Sequence, residues 1–150
     1  MATTNTLFRD VITVFNYHKR TGMWYPTVIN NAHIVSAIAS SHGVSGNINA
    51  DSVEVEVASS GTQTVVTPNG GKSYTPPKLY AVSDSPEEFF TLTPECDFFF
   101  VGAWNDLTPV EDDDYDEGFY HDVNAEHDGV YMISSASYFS LIPHFEIGGR

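Results

Sequence analysis

Apolar and polar positions alternate with a period of two along much of this chain. The clearest case is Asp51 to Ala58, where Val53, Val55 and Val57 face one way and Ser52, Glu54 and Glu56 the other. Such alternation marks a strand with one buried and one wet face. Phe8 to Asn16 reads as a first strand, with Val11, Thr13 and Phe15 set against Ile12, Val14 and Asn16. Lys19 to Gly22 supplies a polar turn, and Met23 to Ile29 a second strand. Pro26 within that strand donates no ladder bond, so it predicts an edge or a bulge. Asn30-Asn31 marks the next turn, His33 to Ser40 a third short segment read as strand in preference to helix, and Ser40 to Asn47 a loop.

From Ser59 to Pro77 the composition turns to Gly, Ser, Thr and Pro. This predicts a long loop in which Thr62 to Thr67 is one arm of a hairpin turning at Asn69-Gly70-Gly71. Leu79 to Val82 reads as a brief strand, and Ser85-Pro86-Glu87-Glu88 as a helix start lasting one turn. Phe90 to Thr93 and Phe98 to Ala103 are expected to form a hairpin around Pro94 to Asp97. A second long loop, 105–128, separates Phe98–Ala103 from the strand-like Val130–Ala136, and His144–Ile147 closes the set. The expectation is one mainly β domain over 1–150: a small antiparallel β-barrel or sandwich with long loop insertions and little helix.

Ten Phe, eight Tyr and two Trp supply a core at this length without staples. The lone Cys96 excludes an internal disulfide or a cysteine-based zinc site, and its acidic neighbours Glu95 and Asp97 disfavour a thiolate. It reads as a packing residue. No apolar run approaches the roughly 20 residues of a membrane span. The amino-terminal residues lack the basic and apolar regions of a secretory signal, which predicts a protein kept in a cytosol.

Charge is strongly segregated. Residues 1–82 carry a net +1 and residues 83–150 a net −15, within a total of −14. The second half would repel nucleic-acid phosphates. Its densest part is Glu111, Asp112, Asp113, Asp114, Asp116 and Glu117, expected to be a partner-facing acidic loop. Asp112, Asp114 and Asp116 alternate as in an EF-hand loop, but Glu117 stands where glycine is required and Val123 where the bidentate Glu belongs. His121 and His127, with Asp122, Glu126 and Asp128, have no convincing metal spacing. No nucleophile elbow, phosphate loop or dinucleotide fingerprint occurs, so the chain reads as a non-enzyme with no cofactor.

Three patches carry a resemblance. They are Thr13–Tyr17 with Trp24–Ile29; Phe90–Asp97 running into Phe98–Gly102; and Tyr131–Ala136 with Leu141–Gly149. Their order and spacing resemble small neck proteins of tailed bacteriophages, of the minor capsid, head-closure or head–tail connector type. Glu95-Cys96-Asp97 departs from the family's glycine–aspartate turn, and the acidic insertion after Trp104 is unusually long. The resemblance implies a small β-barrel without catalytic residues, forming a homo-oligomeric ring in the virion neck. Portal or adaptor protein would lie on one side and tail protein on the other, with DNA passing through unread. The chain would be made in the host cytoplasm and dock through its long loops and β-edges. A tail-terminator or tail-completion subunit is the neighbouring alternative. From other classes come a calcium-dependent carbohydrate-binding β-module using Trp24 and Trp104, with Tyr25 and Tyr80 as further candidate sugar-face aromatics, and a metal-dependent hydrolase using His121 and His127.

Overall fold

The computed structural model describes residues 9–37 and 52–150. The amino-terminal segment, the Ser40–Asn47 loop and the ends of the strands read at Phe8, Ser40 and Asp51 lie outside the described residues.

The chain is mainly β, built on a closed antiparallel barrel. Its six wall strands are β1 (Asp10–His18), β2 (Met23–Ala37), β3 (Val53–Ala58), β7 (Phe98–Val101), β9 (Val130–Phe139) and β10 (His144–Gly149). They follow in the order β1-β7-β9-β10-β3-β2, and β2 pairs back onto β1. A second sheet joins β4 (Thr64–Thr67), β5 (Gly70–Tyr74) and β6 (Phe89–Phe90), and β8 (Val110–Glu111) pairs with the start of β2.

The long β2 makes closure possible. Its first part pairs with β1, Ile12 opposite Ile29, and its last part with β3, Ala32 opposite Val57. The turn expected at Asn30-Asn31 is instead a bulge inside this one strand. The β1–β2 register slips there, and Asn31 takes a left-handed φ of 59°. Asn tolerates that conformation better than most residues, and a bulge sharpens the local twist. The Asp10 carboxylate accepts from Ile34 N at 3.0 Å just beyond it. Pro26 stands opposite Phe15, and β2 meets β8 only at Met23 and Trp24 and β3 only from Ala32 onward. The proline therefore falls in the gap between those partners on the strand's other side.

Two apolar clusters lie on opposite sides of the β1–β7 wall. Ile12, Val14, Ile29, Val55, Phe99, Ile133, Phe145 and Ile147 pack inside the barrel, joined by Val65 of β4, Phe90 of β6 and Leu92. Phe15, Trp24 and Phe98 face outward, under Phe119, Val123 and Val130. Phe15 stacks on its cross-strand partner Phe98 at 4.7 Å. The wet face expected from alternation in β1 is thus covered, and Ile12 through Asn16 are all buried.

Other local readings change. Leu79 to Val82 is not a strand: α1 (Pro77–Ala81) is a short helix with Pro77 in its first turn, where a fixed φ and a missing N–H suit the position. The Phe90–Thr93 and Phe98–Ala103 hairpin does not form. β6 pairs in parallel with β5, whereas β7 lies between β1 and β9. Thr93 to Asp97 is a turn, with Asp97 N donating to Thr93 O at 2.9 Å. The one-turn helix is present as a 3-10 turn over Pro86–Glu88, although the Ser85 side chain does not cap it. The hairpin within 59–77 does form. It turns at Pro68-Asn69, with Thr67 opposite Gly70, one residue earlier than expected. Lys72 ties it to the barrel by donating from Nζ to Thr27 Oγ1 at 2.9 Å, and burial lowers the pKa of that ammonium.

Candidate functional site

Between β7 and β9 the chain leaves the barrel wall and covers its outer side. The expected long loop 105–128 contains β8, a 3-10 turn over Asp112–Asp114 and a helix, α2 (Phe119–Glu126). Phe119 and Val123 lie one helical turn apart and are both buried against the outer aromatic cluster. Apolar packing therefore orders a stretch whose charge alone predicts a solvated loop.

Asp112 organises the acidic tract. Its Oδ1 accepts from Trp24 Nε1 and from Phe119 N, each at 2.9 Å, and its own N–H donates to Gly22 O at 3.1 Å. The carboxylate thus sits at the first turn of α2, where the helix dipole favours negative charge. Gly118, at a φ of 94°, lets the chain pass close by: a Cβ there would lie 3.3 Å from Asp112 Oδ1. Of the six residues expected to face a partner, Asp112 is turned inward as an anchor. Glu111, Asp113, Asp114, Asp116 and Glu117 remain exposed. Burial, and then the charges of Asp112 and Asp113, push the nearby Tyr17 phenol above its ordinary pKa.

The residues proposed for rival activities are used elsewhere. His121 pairs with Glu117 at 3.0 Å on the exposed side of α2, while His127 meets Trp104 edge-on at 5.0 Å. The two histidines share no three-ligand group among the described residues. Trp24, Tyr25 and Tyr80 are buried. Trp104 stands edge-on to Phe15 at 5.2 Å, and its main-chain N–H donates to Thr13 Oγ1 at 3.0 Å. Cys96 is half-buried, and burial with the neighbouring Asp97 pushes its thiol up to about 12.

The most exposed apolar side chains lie where sequence reasoning did not look for a site. At the tip of the β9–β10 hairpin Leu141 is 93% and Ile142 74% exposed, with Phe139 partly exposed beside them. Leu79 and Val82 form a smaller exposed pair at α1. Arg20 braces the end of that helix by donating to Val82 O at 2.7 Å and Asp84 Oδ1 at 2.9 Å. The signal for the tip was present: two large aliphatics beside Pro143, between strands, where a turn ordinarily carries polar residues.

No helix among the described residues is long and apolar enough to cross a membrane. No curated protein and no solved structure matches the chain. One family model does, over residues 7–150, described as a family of unknown function, DUF6751. With nearly the whole chain matched, this protein belongs to the DUF6751 family.

Proposed function

We propose that this protein is a structural subunit of a tailed-phage neck, a head–tail connector of the head-closure type that assembles as a homo-oligomeric ring. The carrying observation is the apolar tip of the β9–β10 hairpin, where Leu141 and Ile142 project from a closed barrel. Large aliphatics held in water at the end of a braced hairpin are costly in isolation and favourable once a neighbour covers them. The resemblance of Leu141–Gly149 and the two other patches to neck proteins supplies the particular assembly.

The exposed Glu111, Asp113, Asp114, Asp116 and Glu117 complement this role. A ring that places them toward its channel presents one sign of charge to DNA and lets it slide without adhering. The portal or adaptor and the tail would contact the ring from its two sides, and no chemical step is required of it.

The decisive experiment is a density map of the virion neck, joined to a Leu141→Ser/Ile142→Ser double variant. The expected result is a ring of this chain between portal and tail, with the variant folded as wild type yet absent from particles. A ring at the tail's own end would assign the tail-terminator role instead. Absence of the chain from purified virions would overturn the proposal.

A further inference from the structure

β3 and β10 lie side by side in the barrel wall, Glu56 opposite Glu146 and Ala58 opposite His144. Val55, Val57, Phe145 and Ile147 point inward and are buried. The alternate positions therefore put Glu56, His144 and Glu146 together on the outer face. Their ligand atoms all lie within 4.8 Å of one another, and all three residues are half-buried. We infer that Glu56, His144 and Glu146 form a binding site for one divalent transition-metal ion of the zinc class.

Two carboxylates directly opposite on neighbouring strands repel each other, and such a pair is destabilising unless a cation lies between them. Among the described residues no lysine or arginine forms an ion pair with either one; His144 lies 3.0 Å from Glu146, and His33 of β2 stands opposite Glu56 on its other side. That imidazole is already oriented. Its Nδ1 is 2.7 Å from Ile142 O, and a carbonyl can only accept, so Nδ1 carries the hydrogen. Nε2 is left facing Glu146 Oε2. Metal-bound histidines characteristically give their other N–H to a backbone carbonyl or a carboxylate, which sets the tautomer and strengthens the ligand. Phe139 stacks on the His144 ring at 5.1 Å and 11° and restrains its rotation.

The spacing suits a small ion. Zinc bonds of about 2.0–2.1 Å in a tetrahedron place ligand atoms roughly 3.3 Å apart. The His144–Glu146 edge is close to that at 3.0 Å. Glu56 completes a third ligand by a side-chain rotation, and the fourth position stays open to water or to a group from another molecule. One imidazole with two carboxylates favours a borderline metal over calcium, whose ligands are oxygens alone. Bound there, the ion clasps β3 to the root of the hairpin that carries Leu141 and Ile142. This site is independent of the neck assignment.

The test is calorimetric titration of the metal-stripped full chain with Zn2+, repeated with Ca2+, alongside visible absorption after Co2+ loading. The expected result is one site per chain, with Zn2+ bound at least tenfold more tightly than Ca2+. His144→Ala and Glu146→Gln should each weaken it at least tenfold, and the Co2+ bands should be lost in His144→Ala. Glu56→Gln tests the cross-strand ligand and should also weaken binding, while His121→Ala should leave it unchanged. Melting in chelator checks that each variant folds. No Zn2+ heat in the wild-type chain, equal affinity for Ca2+, or undiminished Zn2+ binding by folded His144→Ala or Glu146→Gln would each overturn the assignment.

Discussion

The side-chain amide of Asn16 holds both main-chain polar groups of Thr91, a residue 75 positions away. Its Nδ2 donates to Thr91 O at 2.6 Å, and its Oδ1 accepts from Thr91 N at 3.2 Å. The same Nδ2 donates to Asp97 Oδ2 at 2.9 Å. One carboxamide thus replaces a stretch of strand pairing between β1 and the segment after β6. Asn16→Ala leaves the N–H and C=O of Thr91 without a partner and takes one donor from Asp97, which keeps Thr93 N; it should cost about 2–4 kcal/mol, read as a lower urea midpoint with an unchanged slope.

Asp97 gives stability a pH dependence of known sign. It is buried and accepts from Tyr17 N, Asn16 Nδ2 and Thr93 N. Burial outweighs these bonds and pushes its carboxyl up to about 6. The unfolded value is about 3.9, so between roughly pH 4 and 6 the native chain binds more protons than the unfolded chain. The contribution of this group therefore falls as pH rises through that window and is level above it, by on the order of 2–3 kcal/mol. Asp97→Asn should remove that component from a pH series of denaturation curves. At pH 7 the variant should itself lose about 1–3 kcal/mol, because an amide N–H then faces a donor.

Within the acidic tract the effect of neutralisation should depend on position. Asp112→Ala removes the acceptor for Trp24 Nε1 and Phe119 N, at an expected cost of about 1–3 kcal/mol. Asp113→Ala and Asp114→Ala should stay within about 0.5 kcal/mol of wild type. Denaturation midpoints separate the two classes, and Trp24 fluorescence should move only in the first.

Gly149 is a packing requirement. A Cβ there would lie 2.8 Å from the Phe99 ring and 2.9 Å from Tyr131 Cβ. Phe99 is fully buried and has no room to yield. Gly149→Ala should lose about 1–3 kcal/mol through overpacking, seen as a lower melting temperature.

Tyr80→Phe should move stability the other way or not at all. The Tyr80 hydroxyl is buried with no hydrogen-bond partner among the described residues, and its ring meets His18 edge-on. Removing an unsatisfied buried group while keeping the ring forfeits no bond. A midpoint equal to or above wild type is expected, and a clear loss would reveal a partner for that oxygen.

The class of fold was legible in the chain because strand alternation is a local signal. Val53, Val55 and Val57 read correctly without knowledge of their neighbours. Partnership was less legible. Phe98–Val101 sits between β1 and β9, and nothing near Pro94 to Asp97 distinguishes that arrangement from a hairpin. Asn30-Asn31 reads alike as a turn or a bulge, since both use the left-handed tolerance of Asn. The inward role of Asp112 was hidden because its Trp24 partner is 88 residues away. The Glu56–His144–Glu146 cluster depends on a register between β3 and β10 that no single segment encodes.

The two-sided burial of β1 has a kinetic consequence. α2 and the turn before it pack on the outside of a barrel whose closure runs through β1, β7 and β2, so the covering segment can lift away while the ring of wall strands stays intact. Amide exchange should then resolve two tiers. The α2 amides would trade with solvent through a low-energy undocking. Those of β1 wait for the whole molecule to open, because releasing the outer layer still leaves them bonded to a strand on each side.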